Sequence, residues 1–125
     1  MESIDGSFTI KVDGKNISHP PGGSHEPRIP AQPGSEPAVF NLRNCHLESG
    51  EWVLGRFHVE DLSLRPKHVY WFKKDQAHGV QPVFAVQNGG SYDLKFAGAS
   101  LAIIDDKLYS PLLDQPRQPM EIKMQ

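Results

Sequence analysis

Arg28 is the residue whose neighbours say most about its chemistry. It lies in the stretch HEPRIPAQPGSEP, residues 25–37, which with the preceding HPPGGS holds six of the chain's eleven prolines. Each proline fixes its own φ and pushes the residue before it toward extended backbone, here Glu26, Ile29 and Gln32. Arg28 thus has Pro27 before it and Ile29-Pro30 after it, the make-up of a stiffened loop that displays one cation. A long, always-charged side chain suits a pocket with a carboxylate at its base. Gly22, Gly23 and Gly34 sit on both sides, so a solvated, mobile loop is the competing reading. Arg117 in DQPRQPM and Lys67 in LRPKHV are secondary candidates as exposed cations, and Asn88 in VQNGG is a further exposed polar residue.

Enzyme chemistry finds less support. His19, His25, His46, His58, His68 and His78 are scattered, and the nearest grouping, His19 with His25 and Glu26, matches no metal-binding spacing. Cys45 beside His46 would need nucleophile and base on one side, whereas neighbours in a strand point to opposite faces. No glycine loop has phosphate-binding or dinucleotide-binding spacing. The sequence therefore predicts no catalytic residue, no metal and no cofactor.

Thirteen basic and fifteen acidic residues, net charge −2, are mixed along the 125 residues, which gives no reason to expect nucleic acid or a membrane as partner. No run approaches the roughly 20 apolar residues of a bilayer-spanning helix. The start MESIDGSF lacks the pattern of a secretory signal, and a lone cysteine cannot form an internal disulfide. These features predict a cytoplasmic, disulfide-free protein, with leaderless export as the other route.

The elements that must position Arg28 are short strands. SFTIKV, AVFNL, EWVLGRF, HVYWF, VFAV, YDLKF and MEIKM are β-branched, aromatic or alternating, and Gly, Pro, Asn or Asp separates most of them. They also repeat. Gly6-Ser7-Phe8-Thr9-Ile10, Gly50-Glu51-Trp52-Val53-Leu54 and Gly90-Ser91-Tyr92-Asp93-Leu94 share one pattern at spacings of 44 and 40 residues. A proline leading into a short apolar strand follows each, at Pro37, Pro82 and Pro119. Three copies near a 40-residue period predict one all-β domain, a β-trefoil of units 1–42, 43–86 and 87–125, with a β-sandwich as the fallback. In such a barrel Phe8, Trp52 and Tyr92 would each fill a shared core.

The segment GRFHVEDLSLRPKHVYWF, residues 55–72, carries a family resemblance through its Gly-Arg, Glu60-Asp61, Ser63-Leu64 and Pro66-Lys67 followed by Val69. It resembles the cospin-type fungal serine-protease inhibitors, small cysteine-poor β-trefoils of mushroom fruiting bodies. Residues 82–113 are similar to the third unit of that family. The resemblance covers about residues 50–113 and is weak over the first unit, and this chain is shorter and has a proline-rich first unit. Inhibitory loops differ between members, so the match transfers no reactive residue.

The resemblance implies an inhibitor that inserts a rigid loop into the active site of a serine protease. The residues then point to a trypsin-like target, with Pro27, Arg28, Ile29 and Pro30 as the protease-binding loop and Ile29 supplying the aliphatic residue after the anchor. A carbohydrate-binding lectin is the alternative: Asp61, Asp105-Asp106, Tyr70 and Tyr109 could pair acids with rings that stack on a sugar. The Gln-x-Trp signature common among such lectins is missing from VFNL, VFAV and MEIK, and Asp105-Asp106 also reads as a hairpin turn.

Overall fold

Two-residue turns set the hairpins, and three of them share one geometry. Asp13-Gly14 (φ 52° and 77°), Asn44-Cys45 (48° and 67°) and Asp105-Asp106 (51° and 59°) all have two left-handed residues. That geometry matches the twist of the flanking strands, and Asn, Asp and Gly reach it at least cost. The computed structural model describes residues 1–20, 28–58, 66–111 and 118–125. Its strands are β1 (Ile4–Val12), β2 (Lys15–Ile17), β3 (Arg28–Pro30), β4 (Pro33–Gly34), β5 (Phe40–Arg43), β6 (His46–Ser49), β7 (Trp52–Arg56), β8 (Lys67–Lys73), β9 (Val83–Asn88), β10 (Ser91–Phe96), β11 (Ala102–Ile104), β12 (Lys107–Ser110) and β13 (Met120–Met124). Among the described residues there is no α-helix.

The strands form a nearly closed, barrel-like sheet, and the segment around Arg28 is what brings it round. From β1 the antiparallel pairing runs through β5, β6 and β7 to β8. The second edge of β8 is shared: β12 pairs with His68 and Lys67, and β3 pairs with Tyr70, Trp71 and Phe72. The chain then passes through Ala31, whose N–H donates to the Val69 carbonyl at 3.0 Å, into β4, which pairs with β2 and so back to β1. The hairpin of β9 and β10 forms a separate two-stranded sheet. This is the all-β architecture expected, in the form of a nearly closed, barrel-like sheet.

Inside, Phe40 stacks against Trp71 with ring centroids 5.6 Å apart and planes 5° apart, and Phe8 stacks on Phe40 at 6.3 Å. All three are almost wholly removed from solvent, each contributing about 1.5 to 3 kcal/mol. The repeated motifs do not contribute equally. Ile10, Leu54 and Leu94 are each fully buried, but of the repeated aromatics only Phe8 is; Trp52 and Tyr92 are half-buried against the core. Phe8 sits mid-strand, whereas Trp52 opens β7 and Tyr92 is the second residue of β10, so both lie at strand ends beside turns.

Candidate ligand-contact surface around Arg28

Arg28 begins β3 opposite Phe72, with Ile29 opposite Trp71 and Pro30 opposite Tyr70. Strand alternation sends the side chains of 28 and 29 to opposite faces. Arg28 is exposed, while Ile29 is only 7% exposed and joins the core. The segment is therefore a strand of the barrel wall from Arg28 onward. Ile29 does not offer its side chain outward, which corrects the expectation that it would supply an aliphatic contact. Pro30 is half-buried, and Pro27 lies outside the described residues. Ile29, Pro30 and Trp71 also line a cavity of about 310 Å³ with Ser18, His19 and Pro33.

The Arg28 guanidinium rests on two rings, its Cζ 4.3 Å from the centroid of Phe57 and 5.2 Å from that of Tyr70. It makes no hydrogen bond or ion pair with any described residue. Contact with ring faces uses none of the five N–H donors of the guanidinium in a hydrogen bond to oxygen, so they remain for an acceptor. Phe57 is fixed from behind: its carbonyl accepts from Gln81 Nε2 at 2.9 Å, and it bridges to Val80. Next to it, the His58 N–H donates to the Gly79 carbonyl at 2.7 Å.

A row of rings continues along the outer face of β8. Tyr70 lies 6.1 Å from Phe72 and 5.6 Å from His68, and His68 lies 4.5 Å from Tyr109 of β12. Phe57 closes the other end, 5.9 Å from Phe72. His68, Tyr70 and Phe72 fall on every second residue of KHVYWFK, so the signal for this row was in the alternation. Its extension by Phe57 and Tyr109 had no such signal, because it depends on pairing between distant strands. Burial of His68, and next the charge of Lys107, lowers its pKa, so the ring favours the neutral form. Its Nδ1 is buried with no hydrogen-bond partner among the described residues.

The other candidates are placed differently. Lys67 is 6% exposed and pairs with Ser110, which corrects its reading as a displayed cation: it shares the inward face of β8 with Val69 and Trp71. Arg117 and Asp61 lie outside the described residues. Asn88 donates from Nδ2 to Asp93 across its hairpin at 3.2 Å. Asp105-Asp106 forms the turn between β11 and β12. Cys45 is in a turn, not a strand; its N–H donates to Glu2 at 2.8 Å and its carbonyl accepts from Val83 at 2.9 Å. Partial burial, and then the charge of Glu2, raises its thiol pKa, the opposite of what a nucleophile needs. Among the described residues no three His, Cys, Asp or Glu side chains gather as a metal site.

The family model for peptidase inhibitor I66 matches residues 36–123, more than two thirds of the chain. The chain belongs to the I66 peptidase inhibitor family. As an I66 inhibitor it acts on a peptidase without being an enzyme. Searches of curated proteins and of solved structures returned no significant match. The I66 match takes in Phe57, His68, Tyr70, Phe72 and Tyr109 and begins after Arg28, so the family signal covers the ring row and not the arginine resting on it.

Proposed function

We propose that this protein is a cospin-type, competitive inhibitor of a trypsin-like serine peptidase, with Arg28 entering the acidic primary pocket. The observation that carries the reading is Arg28 itself: exposed, free of hydrogen bonds and ion pairs among the described residues, and followed by a residue locked in the core. Lifting a guanidinium off partly buried rings costs about 0.5–2 kcal/mol, which a desolvated, bidentate ion pair in a pocket offsets. The anchored backbone from Ile29 onward limits the ordering cost of binding. An interface of the standard size, roughly 1,600 Å², needs no cofactor. The scaffold in this reading is a β-trefoil of units 1–42, 43–86 and 87–125, supported by the 40-residue repeat and by the equal burial of Ile10, Leu54 and Leu94.

The test is titration of trypsin, chymotrypsin and subtilisin with wild type, Arg28→Lys and Arg28→Ala. Wild type and the lysine variant are expected to inhibit trypsin and the alanine variant to lose inhibition, with the same unfolding midpoint in all three. Unchanged inhibition by Arg28→Ala would sink the assignment and move the anchor to Arg117. Carbohydrate binding is a second reading, favoured by the juxtaposition of Tyr70 and Tyr109 across His68, and a glycan array tests it.

A further inference from the structure

The ring row on β8 is larger than the support of one arginine requires. Arg28 covers Phe57 and Tyr70, but the row runs on through His68 to Tyr109, where no guanidinium of the described residues lies over it. Tyr70, His68 and Tyr109 keep partly exposed rings, above a Phe72 only 3% exposed. The scaffold beneath is rigid, because β8 is paired along one edge by β7 and along the other by β12 and β3. Tyrosine and arginine on a fixed frame have the composition of an interface centre, where a few anchors carry most of the binding energy. Among the described residues two cations act on the row, Arg28 on the rings of Phe57 and Tyr70 and Lys107 on His68.

We infer that this row is a docking surface for the rim of the target peptidase beside its primary pocket, received through an acidic stretch of that rim. Two observations choose this occupant. The row is continuous with Arg28, so a peptidase that takes Arg28 is brought over Tyr70, His68 and Tyr109. These cations complement carboxylates, which raises the rate of encounter and fixes orientation. Arg28 leaving its rings also uncovers Phe57 and Tyr70, and the peptidase rim covers them again. The inference rests on the reading of Arg28 as anchor only for where on the peptidase the row lands.

The experiment compares inhibition constants of full-length Tyr109→Glu, Tyr109→Lys and Arg28→Ala against trypsin, with an unfolding midpoint for each. Both Tyr109 variants lose the ring, so their difference reports the charge the partner presents rather than any shared loss of fold. Tyr109→Glu is expected to inhibit roughly tenfold or more weakly than Tyr109→Lys. Equal inhibition by the two overturns the docking surface, and if Arg28→Ala alone abolishes inhibition the anchor survives without it. If Tyr109→Glu weakens inhibition and Arg28→Ala does not, the docking surface stands and the anchor reading falls. Glycan binding lost in Tyr109→Glu, with trypsin inhibition equal in both Tyr109 variants, assigns the surface to sugar and overturns the inference.

Discussion

Gly79 is the space that lets Phe57 lie where Arg28 can use it. A Cβ on Gly79 would stand 2.7 Å from Phe57 Cε1 and 2.7 Å from His58 Nδ1, closer than carbon atoms tolerate. Both rings are engaged, Phe57 between Arg28 and Phe72 and His58 through its Nδ1, 3.1 Å from the Gly79 carbonyl oxygen.

Gly79→Ala should therefore destabilise the protein by about 1–3 kcal/mol through overpacking. It should also move Phe57 out from under Arg28. Urea unfolding gives the first effect, and loss of the ring-current shift on the Arg28 side-chain protons gives the second. A variant with wild-type stability and wild-type shifts would show that the rings move aside without consequence.

His68 makes stability depend on pH. Its folded pKa is below the ordinary value of about 6.5, so the unfolded chain binds its proton more tightly. The contribution is whole above that ordinary value and is lost as pH falls through the lowered folded value. Urea midpoints from pH 7.5 to 5 should fall for the wild type and fall less steeply for His68→Phe, which keeps a ring in the row. Parallel slopes in the two proteins would assign the pH dependence to other groups.

Arg56 is a buried structural cation, 6% exposed, donating from Nη1 to the Phe96 carbonyl at 3.0 Å. Arg56→Ala removes a charged donor from that carbonyl, which keeps the Ala99 N–H at 3.2 Å, and removes the packing of a long stem, so it should cost about 1–3 kcal/mol. Chemical denaturation measures the loss. Inhibition per folded molecule should stay unchanged, which separates this arginine from Arg28.

Cys45 occupies a left-handed turn position, φ 67°, that glycine adopts without penalty. Cys45→Gly creates the Asn-Gly pair favoured in such turns and should stabilise the fold by about 0.5–1 kcal/mol. Thermal unfolding under reducing conditions checks this. Inhibition should persist, as the thiol has no part in the proposed site.

The strand repertoire and the core were legible because they follow local periodicity. Ile10, Leu54 and Leu94 recur at fixed places in a repeated motif, and all three are buried. Lys67 was misread as exposed although the same periodicity places it: it stands two residues from Val69 and four from Trp71, on the inward face. Arg28 was legible as a framed, exposed cation but not as part of a strand. Proline content argues for a loop, and what overrides it is pairing with Tyr70–Phe72, far along the chain and invisible to any local pattern. The ring row was half legible, since alternation marks His68, Tyr70 and Phe72 while Phe57 and Tyr109 join only through the fold.

The short bridge from β3 through Ala31 to β4 ties β8 to β2 and completes the wall of the barrel. Were a peptidase to cut the bond between Arg28 and Ile29, the new amino terminus would have nowhere to go. Ile29 would stay seated in the core and its strand would stay paired with β8, so the severed ends would remain in one folded body. Such a nick separates nothing, and resealing it requires no search. A target that attacks this bond would stay occupied by its own product.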